Sequence, residues 1–197
     1  MGERQVFQPL TKEDKVTVVL YRIGIVLSTI ITAVLAILFL IGSLNAGSPL
    51  PEVLGYGLQV SVGMSVFFIH LYLSTFKKYL KNLYYISLAC LAALVYLGKG
   101  SLSLALVQTP VSALLLLPLS GCLGFVTAKE AFCFKLLEGY VLAMVMPFYL
   151  LLLATGSVAG RSAVSGLAVI ALLLVLFTLR KAFMPLAYDI GDKSAYR

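Results

Sequence analysis

Six apolar runs, each long enough to cross a lipid bilayer, leave this chain few ways to fold. A hydrocarbon core takes about 20 consecutive apolar residues per helix, with about 17 as a lower limit. Runs of that length fall at about 17–42, 53–76, 82–98, 103–128, 138–155 and 163–183. Gly42-Ser43 and a polar loop from Asn45 to Pro51 end the first, Lys77-Lys78 stop the second, and Gly98-Lys99-Gly100 close the third. Pro110 and Pro118 lie inside the fourth, where a bend with partners for the freed carbonyls is expected. Gly156 ends the fifth, and Arg180-Lys181 with Pro185 stop the sixth. Composition removes the soluble alternative: 61% of the 197 residues are hydrophobic and 12% charged, against about 45–50% and about 25% in soluble domains. A soluble domain this small has too much surface to hide that many apolar side chains.

The predicted fold is therefore all-α: a polytopic bundle of six transmembrane helices forming one integral membrane domain over 1–197. Residues 1–16 form a polar amino-terminal segment and 184–197 a polar tail. Charge tests the count. With six spans, the amino-terminal segment, the 2–3 and 4–5 loops and the tail together carry thirteen Lys and Arg, whereas only Lys99 and Arg161 fall on the other side. That bias follows the positive-inside rule and puts both termini on the cytoplasmic (or stromal) side. A seventh span over 121–136 would bury Lys129, Glu130 and Lys135, at about 2.5–3.5 kcal/mol per charge, and would send the basic tail outside.

The net charge of +7 raises the question of nucleic acid. The basic residues sit between apolar runs rather than on a soluble face with interleaved aromatics, so no nucleic-acid partner is expected. The first run is too long for a cleavable signal, and Val6 stands where a myristoylation signal needs Ser or Thr. The first helix is expected to be retained.

Helices in lipid associate through small residues that let backbones approach. Three stripes at four-residue spacing fit that role: Gly24, Ser28, Thr32 and Ala36; Gly57, Ser61 and Ser65; Ser120, Gly124 and Ala128. Packing is the preferred reading over ligand lining. No fixed-period internal repeat supports an inverted-repeat transporter.

Few residues carry chemistry. Cys90, Cys122 and Cys133 show no metal or redox spacing. His70, the only histidine, is read deep in the second helix as a neutral interhelical group; the alternative is a single axial ligand to a pigment or haem shared with a partner. No cofactor or metal is predicted. The most informative stretch runs from Thr127 to Glu138. Helical spacing sets Lys129 and Glu130 beside Cys133 and lets Lys135 pair with Glu138. One reading is a polar pocket or proton site at the bilayer edge. The preferred reading is a solvated cytoplasmic elbow with Phe132 and Phe134 at headgroup depth. The tail from Tyr188 to Arg197 is read as a solvated, partly disordered end; the alternative is that Asp189 and Asp192, interleaved with Lys193 and Arg197, dock a cytoplasmic or stromal partner.

The segment Lys129-Glu130-Ala131-Phe132-Cys133 and the tail from Met184 to Lys193 resemble a family of integral membrane proteins of unknown function found in cyanobacteria and related phototrophs. Ala128 and Ala131 stand where that family favours an aromatic and a glycine. The resemblance covers nearly the whole chain; it implies a phototrophic setting and a bacterial inner or thylakoid membrane, and no established activity.

Two classes of function remain. Short loops, small-residue stripes and the lack of a catalytic constellation favour a non-catalytic accessory, assembly or scaffold subunit, with the bilayer and other membrane subunits or a second copy as partners. The alternative is a small transporter, channel or intramembrane enzyme using Lys129, Glu130, Glu138 and His70.

Overall fold

A computed structural model of the chain describes residues 11–42, 48–71, 74–186 and 189. The segment 1–10, the loop residues 43–47 and the tail residues Asp192, Lys193 and Arg197 lie outside the described residues.

The described chain is helical throughout. Helix α1 spans Lys12–Leu40. It starts on a reciprocal cap: Asp14 N donates to Thr11 Oγ1 at 3.2 Å and Thr11 N to Asp14 Oδ2 at 2.9 Å. Two of the donors that a helix start leaves unpaired are thereby satisfied. Helix α2 spans Pro49–Phe68, α3 Ser74–Leu97 and the short α4 Leu102–Gln108. A 3-10 helix, Pro110–Leu116, leads into α5, Leu117–Phe134. Helices α6, Leu137–Ala154, and α7, Arg161–Ala182, complete the bundle.

Among the described residues, five segments are long and apolar enough to cross a membrane: Lys12–Leu40, Ser74–Leu97, Pro110–Phe134, Leu137–Ala154 and Arg161–Ala182. The expected second span is not among them. Its helix has 20 residues, about 30 Å at 1.5 Å per residue, but Glu52, Gln59 and its Gly and Pro residues dilute its apolar content. Gln59 is buried and bonded: its Nε2 donates to Ser87 Oγ at 2.7 Å, and Tyr84 Oη donates to its backbone carbonyl at 3.1 Å. Glu52 accepts from Leu102 N at 2.6 Å and from both Ser101 Oγ and Ser103 Oγ, tying the start of α2 to the start of α4.

Several boundaries differ from the apolar runs, for one reason. An apolar run marks where hydrocarbon ends, not where a helix ends. Lys77, Lys78 and Lys81 continue α3 rather than stopping α2, because lysine is a good helix former that lays its stem along apolar surface. Helix α2 stops at Phe68, where Ile69 turns extended (φ −63°, ψ 135°), so His70 follows the helix instead of lying deep within it. Lys129 and Glu130 belong to α5, which runs on to Phe134 and makes 121–134 the second half of the apolar segment Pro110–Phe134 rather than a loop or a separate span. The αL turn at Lys135 (φ 56°) then leads directly into α6.

The prolines also differ from expectation. Pro110 opens the 3-10 helix and Pro118 lies in the first turn of α5, positions where a missing N–H removes no intrahelical bond. The break falls at Thr109, and Ser112 Oγ covers the Ala105 carbonyl at 2.9 Å.

The small-residue stripes of α1 and α2 face each other. Ser28 Oγ lies 2.8 Å from Ser61 Oγ, and Ser65 Oγ donates to the Tyr21 carbonyl at 3.4 Å. A Cβ on Gly24 would meet Ser65 Oγ and would stand 2.7 Å from both Ser61 O and Ser65 N. On Gly57 it would meet only the tip of Ile31, at 3.2 Å. Gly124 sets α5 against α6, its Cβ position 3.4 Å from Ala143 Cα; Ala128 is half-buried. Gly24→Ala is expected to lose about 1–3 kcal/mol, the usual cost of overpacking, while Gly57→Ala loses less because a side-chain tip yields. Denaturant unfolding in detergent micelles measures both, and equal losses would contradict this account of the α1–α2 contact.

Candidate functional site

At one end of the bundle, helices α1, α5 and α7 bring charged side chains into the interior. Glu130 of α5 is fully buried and is reached by three donors. Tyr21 Oη of α1 donates to Oε1 at 2.7 Å, and Lys129 Nζ reaches the same oxygen at 2.6 Å. Lys181 Nζ of α7 forms the ion pair with Oε2. Lys181, itself 1% exposed, also pairs with Asp189, which is 4% exposed. Arg22 Nε of α1 closes the chain on Asp189 Oδ2 at 2.6 Å.

The network thus alternates in sign: Lys129, Glu130, Lys181, Asp189, Arg22. Three cations and two anions are held where an isolated charge is costly and a pair survives only with good geometry and further hydrogen bonds. Those bonds are present. The Arg22 guanidinium donates from Nη1 to the Met184 carbonyl at 2.6 Å and to Ala182 O at 3.4 Å, and from Nη2 to Pro185 O at 3.1 Å. These carbonyls belong to the end of α7 and the turn after it, where helices leave acceptors unpaired and cations are favoured. Aromatic faces complete the shell, with Lys181 Nζ 4.0 Å from the Phe134 ring centroid and Lys129 Nζ 5.4 Å from that of Tyr21.

The structure places the sequence-derived candidates differently from one another. Glu130 and Lys129 meet in the network, which overturns the solvated elbow at Glu130: α5 continues through it and α1 and α7 cover it. Cys133, one turn on, is exposed. Glu138 pairs with Arg180 rather than with Lys135, Arg180 Nη1 lying 2.8 and 2.9 Å from its two oxygens; Lys135 is committed to the αL turn instead. His70 lies near the network without joining it, its Nε2 3.2 Å from Thr17 Oγ1. Asp189, expected from sequence in a solvated tail with docking as the alternative, is buried and paired within the chain.

Local spacing does not single out Tyr21, Arg22 or Lys181 as site residues. Their signal was present. Arg22 lies inside the first apolar run and Lys181 inside the last, and a charge within an apolar run requires a partner. Which partner is a matter of long-range packing that local spacing does not carry.

The opposite half of the bundle holds an apolar cavity of about 300 Å³ between α1, α2, α5, α6 and α7. Among the described residues no group of three His, Cys, Asp or Glu side chains is arranged to hold a metal ion.

A long-helix apolar bundle with charges confined to its ends and one buried ion network defines a multi-pass α-helical membrane protein. The chain belongs to the family described as uncharacterized integral membrane protein (DUF2301), which matches residues 64–197. No curated protein and no solved structure matches it. The family match covers the α5 and α7 members of the network and Asp189, while Tyr21 and Arg22 precede it.

Glu130→Gln is expected to destabilise the bundle by about 3–5 kcal/mol, because removing one partner leaves a buried charge uncompensated. Adding Lys181→Gln to that variant is expected to cost clearly less than the sum of the two single losses. A double-mutant cycle on unfolding in detergent measures the coupling; strict additivity would mean that Glu130 and Lys181 do not act as a pair.

Proposed function

We propose that this protein is a non-catalytic subunit of a membrane complex, presenting helix α3 to a transmembrane helix of a partner protein. The supporting observation is α3 itself. Of the five long apolar segments it has the lowest mean hydropathy, 1.5 where the others have 1.8 to 2.8, and the smallest buried share, 22% where the others have 28 to 39%. Its uncovered face carries Lys78, Asn82, Tyr85, Ala89, Ala92 and Tyr96, all exposed. They alternate four and three residues apart, the spacing of a two-helix seam. Lipid tails offer the Asn82 amide and Tyr85 hydroxyl no partner, whereas a facing helix does. Ala89 and Ala92 in the middle of the seam allow close backbone approach.

In this reading the chain crosses the membrane six times, with α2 as the sixth span despite Glu52 and Gln59. Its two polar residues are already bonded to α4 and α3. Among the described residues, ten of the twelve Lys and Arg lie toward the end that holds the ion network, and Lys99 and Arg161 toward the other. The positive-inside rule then puts the network and both termini on the cytoplasmic or stromal side of a bacterial inner or thylakoid membrane.

Two experiments test these statements. A tagged chain at native expression, extracted in mild detergent, is expected to co-purify with stoichiometric membrane subunits, and Ala89→Leu to reduce that recovery at least tenfold without lowering the amount of inserted protein. Recovery of the chain alone overturns the docking role. For topology, an impermeant maleimide is expected to modify exposed Cys133 from the cytoplasmic face while buried Cys122 stays unreacted; modification of Cys133 only from the opposite face reverses the orientation.

A further inference from the structure

Hydroxyl contacts tie α1 to α2 and to the chain just after it, at successive heights. Ser28 Oγ lies beside Ser61 Oγ, Ser65 Oγ donates to the Tyr21 carbonyl, and Thr17 Oγ1 lies 3.2 Å from His70 Nε2. The outermost of these contacts is the one with a titratable partner. Thr17 and Tyr21 share a face of α1, one turn apart. His70 lies beyond the end of α2 and follows the extended Ile69, whose fully buried side chain anchors the backbone at that point.

The protons around Thr17 set the state of the ring. Thr17 Oγ1 lies 3.1 Å from Glu13 O and 3.0 Å from Asp14 O, and donates its single proton to its own helix. The proton in the contact with His70 is therefore on Nε2, and Thr17 accepts it. His70 Nδ1 is buried and has no hydrogen-bond partner among the described residues. A neutral ring protonated on Nε2 leaves only a lone pair there, whereas a charged ring would place an N–H where no acceptor stands. The surrounding charges act in the same direction. Lys129 of α5 and Lys77 of α3 oppose a positive ring, while Asp189 after α7 and Asp14 of α1 favour one. Both carboxylates are already engaged, Asp14 by Thr11 N and Asp189 by Arg22 and Lys181. Burial, followed by the two lysines, holds the His70 pKa below the usual histidine value.

We infer that His70 is a pH-sensitive latch, closed on Thr17 while its ring is neutral and released from α1 when Nδ1 takes a proton from solvent. The ring is half-buried and reaches water by turning outward. Because its pKa in the closed state lies below that of the free ring, closure is fully stabilising above the ordinary histidine range. That stabilisation is lost as pH falls through the lowered value. Release acts on the part of α1 outside Val18, which is itself fully buried. Ser65, Ser61 and the Tyr21–Glu130 bond hold the rest of the helix. The latch thus couples acidity at the charged end of the bundle to exposure of the first turns of α1.

The test uses the full chain in nanodiscs without a histidine tag, so that isotope-labelled histidine reports His70 alone. Nitrogen NMR is expected to show the Nε2–H tautomer at about pH 7.5 and a titration midpoint below that of free histidine. Hydrogen exchange at residues 16–20, corrected for the intrinsic effect of pH, is expected to be roughly threefold or more faster at about pH 5 than at about pH 7.5. An Nδ1–H tautomer, a midpoint at or above the free value, or pH-independent exchange overturns the latch, and none of these readings needs a variant that has to fold. His70→Gln keeps a donor at the Nε2 position but does not titrate, and its exchange is expected to stay slow at both pH values. Thr17→Val removes the acceptor and is expected to make exchange fast at both, while the midpoint moves up toward the free value. An acid-dependent increase that persists in His70→Gln assigns the response to another group and overturns the proposal.

Discussion

A buried charge in a bilayer protein must find its counter-charge inside the protein, and the organisation of this bundle depends on that constraint. Glu130 is the point where it is met. Tyr21 arrives from α1, Lys181 from α7 and Lys129 from its own helix, so three helices are registered on one carboxylate. Hydrophobic burial does not set register in lipid, because the medium is as apolar as the side chains. Small-residue contacts bring α1 against α2 and α5 against α6, but such contacts alone tolerate sliding. The ion pairs and the Arg22 bonds to the end of α7 do not. Asp189 extends the same device to the chain beyond α7, held between Arg22 and Lys181.

The two halves of the molecule follow from this asymmetry. The charged end is packed shut, since each ion requires a partner and each partner brings its helix. Among the described residues the other half has no comparable polar fastening between α1 and α6, and there the helices leave an apolar cavity. Tyr149 holds α6 to α7 through the Ala163 carbonyl without filling the space. The same chain thus provides a rigid base and a concave apolar half.

Much of the fold was legible because bilayer thickness is a length that sequence expresses directly. Five of the six apolar runs correspond to long apolar segments. What the runs did not carry was the position of helix ends, because Lys77, Lys78, Lys129 and Glu130 end the hydrocarbon without ending the helix. The second run was blurred for the converse reason. Gln59 is admitted to the interior because Ser87 and Tyr84 satisfy it, and that is a tertiary fact. The site was half legible. Lys129 and Glu130 stood out as charges beside an apolar helix, but local spacing offered Cys133 and Lys135 as neighbours, whereas the partners in space are 109 residues away at Tyr21 and on α7.

The arrangement around Glu130 also bears on which chemistry it suits. A general acid or base needs a lone pair or proton that a substrate can reach. Here both carboxylate oxygens face cations, and Phe134 and Tyr21 lie against the two lysines. The apolar cavity stops about two turns away behind Phe177 and the Thr29–Thr178 contact. Proton transfer at Glu130 would first have to break ion pairs that hold α1, α5 and α7 together, at about 3–5 kcal/mol, the usual cost of breaking a buried pair. A group whose protonation dismantles its own scaffold is better suited to fastening helices than to turnover. That physical reason sets the network in the foundation of the protein rather than among surfaces built for turnover.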